Sequence, residues 1–438
     1  MLPQRHVAVV GAGPSGLYTA QTLARTYGMA VDVFERLPTP YGLLRYGVAP
    51  DHLKMKKLTA VLEKVLQLPG VCFFGNVEIG RDITGEELGA RYDAVVYAVG
   101  ASGHRALNVP GETLPGVHPA TDFVSWYSGH PDADRFTGLD AVRSAVVVGA
   151  GNVALDVARV LARSPQELTM TDVPDRVLDE LARSTVLDIH VVARRGPDEV
   201  KFTLKELTEM GALANADVRV HPDNRTAAAT HPVSGEASCA AVLDGWRGRE
   251  MSGKPRTVHF HFGLSLARIE GTSRVERAVF TPAGSPLGGG LETALPAQLL
   301  LGAVGSRGLP VAGLPFDEHR GVVPNIDGRV DRGDGATSRE YVVGWIKRGP
   351  TGVIGTNRAD ALVTAATLAA DLENDPALPR VAAQPMTTGE LGTVVDWTGW
   401  SGIDAAEVAR GALRSAARVK VDAWPDMLAA ARDVTTGA

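Results

Sequence analysis

The sequence predicts an α/β chain made of two Rossmann-like dinucleotide-binding units. Three stretches predict it. VAVVGAGPSG at Val7–Gly16 and VVVGAGNVALDVAR at Val146–Arg159 each read as an apolar strand, a glycine turn and a helix. The third, EYVVGWIKRGPTGVIGTNRADALVTAATLAADL at Glu340–Leu372, repeats that order late in the chain.

In the first unit, Gly11, Gly13 and Gly16 stand in GxGxxG spacing. Such glycines allow a tight turn, close approach of a pyrophosphate and packing of helix on strand. The helix start then offers free N–H groups to the phosphates. Ala12 and Ser15 fill the same turn. The second strand, AVDVFE, ends in Glu35, at the expected reach of an adenosine ribose hydroxyl. TPYGLLRYG at Thr39–Gly47 is a Gly/Pro-punctuated run able to lie along an extended cofactor, and RYDAVVYAVGA at Arg91–Ala101 supplies a third parallel strand. These features favour FAD here. The late glycine turn brings the Gly352, Val353 and Ile354 amides toward a flavin, with Trp345 beside the ring.

In the second unit, Gly149, Gly151 and Ala154 repeat the fingerprint, with Asn152 and Val153 inside it. The next strand, LDIHVVARRGP, ends in Arg194 and Arg195 where an NAD binder carries an acid. Two guanidiniums suit a 2′-phosphate and hence NADPH. Their distance from Gly149 exceeds the usual spacing, and a helical excursion over Ser164–Ser184 accounts for it. Lys201 is a third nearby cation. One unit that keeps FAD and another that admits NADPH imply hydride transfer within one chain.

Composition sets the limits. The chain has 438 residues and a net charge of −6, so nothing global points to nucleic acid or a membrane surface. No apolar run is long enough for a spanning helix. The first strand begins near His6, and a cytoplasmic, monomeric protein is expected. The two cysteines, Cys72 and Cys239, lie far apart. That spacing excludes a CxxC redox pair, a cysteine-ligated cluster and the chemistry of glutathione reductase itself. Redox work therefore falls to a bound organic cofactor.

The segments APDHLKMKK, FFGNVEIGRDIT, YAVGA, GAGNVALDVAR, ARRGP, PFDEHRGVVPN and GWIKRGPTGVIGTN occur in that order between Ala49 and Asn357, within a likeness that runs from residue 6 to about 425. With them the chain resembles the adrenodoxin reductase family of ferredoxin–NADP⁺ reductases. The resemblance implies a glutathione-reductase-like architecture in which an NADPH domain is inserted into an FAD domain. It implies electron flow between NADPH and a small iron–sulfur protein. It also implies FAD contacts from Ser15, Glu35, Leu43, Val77, Ile79, Trp345 and Gly352–Ile354. NADP contacts are implied from Arg105, the Gly151–Ala154 turn, Arg194, Arg195, Glu206 and Gly352. Without the resemblance, Glu206 reads as an exposed helical carboxylate and Arg105 as a linker charge.

The expected layout is FAD domain 1–104, NADPH domain 105–325, and FAD domain again 326–438. Thr281–Thr293 reads as a hairpin or loop, Asn374–Pro385 as a linker. The polar run Asn215–Val242 is shorter than in the family pattern. His52 and Glu209 are candidates for proton handling. Lys54, Lys56 and Lys57, and a stripe of Arg410, Arg414 and Arg418 at helical spacing, are the expected docking cations for an acidic ferredoxin. His259 and His261 in VHFHFG share a strand face, and with no third ligand at suitable spacing they read as a solvated face rather than a metal site. An NADPH diaphorase that reduces quinones or oxygen is a second enzyme reading. A non-catalytic dinucleotide sensor is a third.

Overall fold

A computed structural model describes residues 4–222, 238–284, 291–333, 339–374 and 386–433. The chain divides into two compact units: Met1–Gly103 with Ser306–Ala438, and His104–Gly305.

The first unit is built on a seven-stranded sheet. Its parallel part runs laterally Val71–Gly75, Ala30–Glu35, His6–Val10, Ala94–Tyr97, Glu340–Val342. The late strand Glu340–Val342 thus lies beside Ala94–Tyr97 despite the long insertion between them. Arg329–Val330 and Asn325–Ile326 close that edge antiparallel. The strands carry apolar residues at nearly every position because both faces are covered, as expected of a parallel sheet. Helices Pro14–Tyr27, Ile354–Asn374 and Trp397–Ala412 bury one face, around Val7, Val9, Leu368 and Trp400. Phe34, Tyr97, Val342 and Ile346 form the other.

The second unit carries a six-stranded parallel sheet in the order Val117–Pro119, Leu299–Gly302, Ser144–Val148, Asp188–Ala193, Arg256–Phe262, Ala216–Val220. Helix Asn152–Ala162 has eight buried residues of eleven and packs on one face. The other face is covered around Val146, Val192 and Leu300 by a three-stranded antiparallel sheet. The expected hairpin near Thr281–Thr293 joins two of its strands, Arg277–Pro282 and Thr293–Pro296; residues 285–290 lie outside the described set. The excursion at Ser164–Ser184 folds as two short helices, Pro165–Leu168 and Asp175–Arg183. The first is closed by a capping box between Ser164 and Glu167.

The return to the first unit falls at Gly305/Ser306, earlier than the expected 325/326. The physical reason is local pairing. Gly308 N–H donates to Gly321 O at 3.0 Å, and Val323 N–H donates to Ile346 O at 2.9 Å. Val311, Leu314 and Phe316 pack on the Tyr97–Ile346 cluster. These residues belong to the first unit, which the PFDEHRGVVPN segment among them does not by itself announce. The linker expected at Asn374–Pro385 falls almost wholly outside the described residues. No helix among the described residues is long and apolar enough to cross a membrane.

Candidate functional site

The first fingerprint forms an open cradle. Gly11 N–H donates to Phe34 O at 2.7 Å, which seats the turn on the sheet. A side chain at Gly16 would place Cβ 1.9 Å from Gly11 O, so only glycine lets this helix approach the turn. Nothing lies within 4 Å of a Cβ built at Gly13. Gly13 also caps helix Pro14–Tyr27 with no side-chain partner for its first N–H groups. Open space before uncapped donors is what a pyrophosphate requires.

Other predicted residues gather around this turn. Glu35 Oε2 accepts the Ala12 N–H at 2.9 Å and Oε1 the Leu37 N–H at 3.2 Å. Burial pushes the Glu35 carboxyl up, and the bonds from Ala12 and Leu37 oppose that shift. Val77 is buried and its N–H donates to Glu35 O at 2.9 Å. Ile79, half-buried, bridges Ile83. Tyr41 N–H donates to Ala12 O at 2.8 Å, so the Thr39–Gly47 run lies across the fingerprint. Leu43 stays exposed. A Cβ at Gly344 would sit 2.3 Å from Ser15 Oγ. The late turn therefore meets the first fingerprint, with half-buried Trp345 directly after it. Trp345 Nε1–H donates to Thr351 O at 3.1 Å. Gly352 has φ 84° and Ile354 opens the long helix. The Val353 N–H is already given to Thr356 Oγ1 at 3.2 Å, while its side chain is exposed.

The second fingerprint is built the same way. Gly149 N–H donates to Val192 O at 2.9 Å, and a Cβ there would meet Ala303 O at 2.4 Å. Gly151 faces open space and caps helix Asn152–Ala162 without a side-chain partner. Ala154 is fully buried and Val153 exposed. Asn152 Oδ1 accepts the Thr203 N–H at 2.8 Å. Lys201 N–H donates to Ala150 O at 2.9 Å. These two bonds hold the 201–206 segment against the turn. Arg194 and Arg195 stand exposed just beyond strand Asp188–Ala193, with no carboxylate partner among the described residues. Arg105 is exposed too, and its N–H donates to Gly305 O at 3.0 Å beside the end of the unit.

A relative of known activity covers nearly all of this architecture. NADPH-ferredoxin reductase FprA of Mycobacterium tuberculosis is 40% identical over 97% of this chain and 98% of its own. The chain belongs to the adrenodoxin reductase-type ferredoxin–NADP⁺ reductase family. Human mitochondrial NADPH:adrenodoxin oxidoreductase is 37% identical, over 92% of this chain and 87% of its own. The solved structure of M. tuberculosis FprA in complex with NADPH superposes with a TM-score of 0.86 at 40% identity, covering 99% of this chain and all of that one. Residues 5–193 match the pyridine nucleotide-disulphide oxidoreductase family model. That broader family's name includes a disulphide, yet Cys72 and Cys239 are both free and lie in different units.

The structure places the remaining candidates less uniformly. Glu206 is buried rather than exposed. Its Oε2 accepts from Arg159 Nη1 at 3.2 Å, and Arg159, fully buried, also binds Asp156 at 2.6 Å. Helix Leu204–Met210 is thereby fixed to helix Asn152–Ala162, which the sequence reading missed; Arg159 ends the GAGNVALDVAR segment, but nothing local names Glu206 as its partner. Glu209, one turn on, is half-exposed and 3.6 Å from Lys205 Nζ. His52 is half-buried at the start of the short helix Leu53–Lys56 and does not cap it. Asp360 was missed as well. It accepts from Gly344 N at 2.6 Å and Lys347 Nζ at 2.8 Å and lies 3.3 Å from Arg348 Nη1, so it braces the Trp345 turn.

The arginine stripe is corrected. Helix Trp397–Ala412 ends before Arg414, so Arg410, Arg414 and Arg418 do not share a helical face. Arg410 is exposed. Arg418 turns inward to Asp404 and, at 3.3 Å, to Glu407. Glu407 is fully buried and takes a two-pronged bond from Arg45, while Lys420 Nζ donates to Arg45 O at 2.8 Å. This network holds the Thr39–Gly47 run in place. Lys54 and Lys57 are exposed and Lys56 half-buried.

Proposed function

We propose that the chain is an NADPH–ferredoxin oxidoreductase, with FAD on the first fingerprint and NADPH on the second. The observation that carries the reading is the pair of uncapped helix starts behind open glycines, one followed by Glu35 and the other by exposed Arg194 and Arg195. FAD, when bound, accepts two electrons as hydride from NADPH and releases them singly to an iron–sulfur protein.

The chain's own residues bind and orient. Gly11–Gly16 receive the FAD pyrophosphate at the start of helix Pro14–Tyr27, and Glu35 fixes the fingerprint while presenting its carboxylate to the ribose. Leu43, Val77 and Ile79 line the adenine-to-flavin path, and the Gly344–Ile354 turn with Trp345 holds the ring. Gly151–Ala154 receive the NADPH pyrophosphate, and Arg194 and Arg195 bind the 2′-phosphate. Arg105 is assigned to the same nucleotide. Glu206, with Oε2 given to Arg159, is assigned to it as well. His52 and Glu209 are assigned to proton exchange with solvent. Lys54, Lys56, Lys57 and Arg410 are the surface offered to an acidic ferredoxin; Arg414, half-buried beyond the helix end, and Arg418 are withdrawn from that list. The chain acts as a monomer in the cytoplasm.

Anaerobic stopped-flow absorbance tests this reading. The yellow protein should bleach rapidly with NADPH, bleach far more slowly with NADH, and recover colour on mixing with ferredoxin. Bleaching without recovery would favour the diaphorase. Retained colour after NADPH would favour the sensor and sink the reductase reading.

A further inference from the structure

The outer part of the second unit's sheet holds four histidines on one face. In strand Arg256–Phe262, Val258, Phe260 and Phe262 enter the helix-covered core, which turns His259 and His261 to the opposite face. Strand Asp188–Ala193 does the same: Ile189, Val191 and Ala193 are core, and Asp188 and His190 lie opposite. His190 is in register with His259. Strand Ala216–Val220 points Ala216, Val218 and Val220 into the core, and His221 follows on the face of the other histidines.

The four rings form a box. His221 stacks on His261 with centroids 4.1 Å apart at 11°, and His190 on His259 at 4.6 Å and 22°. Two nitrogen pairs tie the stacks together: His190 Nδ1 with His261 Nε2, and His221 Nε2 with His259 Nδ1, each at 3.1 Å. Among the described residues, the second pair has a carboxylate anchor. His259 Nε2 lies 3.0 Å from Asp188 Oδ1. A carboxylate can only accept, so Nε2 carries the hydrogen and Nδ1 turns its lone pair toward His221.

We propose that His221 Nε2 and His259 Nδ1 form a binding site for a divalent transition ion of the Cu²⁺, Ni²⁺ or Zn²⁺ class, with Asp188 orienting His259. Imidazole suits these ions. The two nitrogens face each other nearly head-on, 3.1 Å apart with ring centroids 5.3 Å apart, so an ion about 2.0–2.1 Å from both, subtending roughly 100°, needs each ring to turn by about 40°. A ligand histidine whose far nitrogen donates to a carboxylate is the usual outer-shell arrangement of such sites. Among the described residues Asp188 is half-exposed at the rim of the site, and water completes the coordination. Burial pushes both His221 and His259 down from their ordinary values, which keeps them neutral near pH 7. The hydrogen His221 now shares moves to its own Nδ1 as the ion takes Nε2, so no proton leaves. Arg219 opposes the cation. The ion would pin the end of strand Ala216–Val220 to strand Arg256–Phe262.

The test uses tag-free, FAD-loaded protein stripped with chelator. Zn²⁺ calorimetry should show one equivalent bound. His221→Gln and His259→Gln should each weaken binding at least ~10-fold, and Asp188→Asn should also weaken it. Arg219→Gln should tighten it. Retained flavin and far-ultraviolet dichroism check that the variants fold. Cu²⁺ paramagnetic resonance on the unaltered protein needs no variant, and it should show coupling to two nitrogens. No stoichiometric uptake, a spectrum with oxygen ligands only, or full affinity in both histidine variants would overturn the site.

Discussion

At the residue scale, charge placement separates nucleotide recognition from scaffolding. Arg194 and Arg195 stand exposed after a strand end, so their removal should cost binding and little stability. Arg194→Ala or Arg195→Ala should raise the KM for NADPH about 10-fold or more, since a charge-assisted bond is worth about 1.5–3 kcal/mol. The KM for NADH should barely move, and steady-state kinetics with both nucleotides will show whether it does. Glu407 is the opposite case, fully buried between Arg45 and Arg418. Glu407→Ala leaves Arg45 charged and without its carboxylate in the interior; burial pulls the Arg45 pKa down, and the Glu407 carboxylate more than offsets that pull. Urea unfolding should report a loss of about 3–5 kcal/mol. The fingerprint glycines and Glu35 were legible in sequence because their chemistry is local. Arg159, Asp360 and the inward turn of Arg418 were not, because each is defined by a partner from a distant stretch or another helix.

At the element scale, the end of one helix decides the docking surface. Because Trp397–Ala412 stops before Arg414, only Arg410 of the three arginines is left on an exposed helical surface. Arg410→Glu should raise the KM for ferredoxin in low salt, with the effect shrinking as salt rises and dye reduction unchanged. Arg418→Ala should act on stability instead, through Asp404 and Glu407. The histidine-bearing strands make a second prediction. Burial holds His190 at about 4 and His261 at about 2, against 6.5 for a free imidazole. As pH falls below 6.5 the unfolded chain takes up protons that the folded one refuses, so stability drops from pH 6.5 down to about 4 for His190 and to about 2 for His261. Above 6.5 these groups contribute no slope. Denaturation midpoints at pH 7.5 and 5 should show the fall, and His190→Gln should make it shallower while the His261 share remains.

At the scale of the whole molecule, two nucleotide folds are joined by inserting one into the other. The residues 104–305 form a unit with its own helix-covered and sheet-covered cores. Expressed alone, this segment should fold and bind 2′,5′-ADP. A segment ending at 325 should be less soluble, since it carries Val311, Leu314, Phe316 and Val323 away from the cluster that buries them. Light scattering and nucleotide titration of the two fragments distinguish these outcomes.

The sequence by itself determined the α/β class and the two fingerprints, because each rests on a strand–turn–helix run that is complete within a few dozen residues, and the resemblance to the ferredoxin–NADP⁺ reductase family, because it is carried by short segments that occur in order along the chain. Only the tertiary structure decided where the inserted unit ends, which arginines face solvent, that Glu206 is bound to Arg159, and that four histidines from three strands meet. Those outcomes depend on which distant segments share a sheet face or a buried charge, and pairing at long range leaves no local pattern to read.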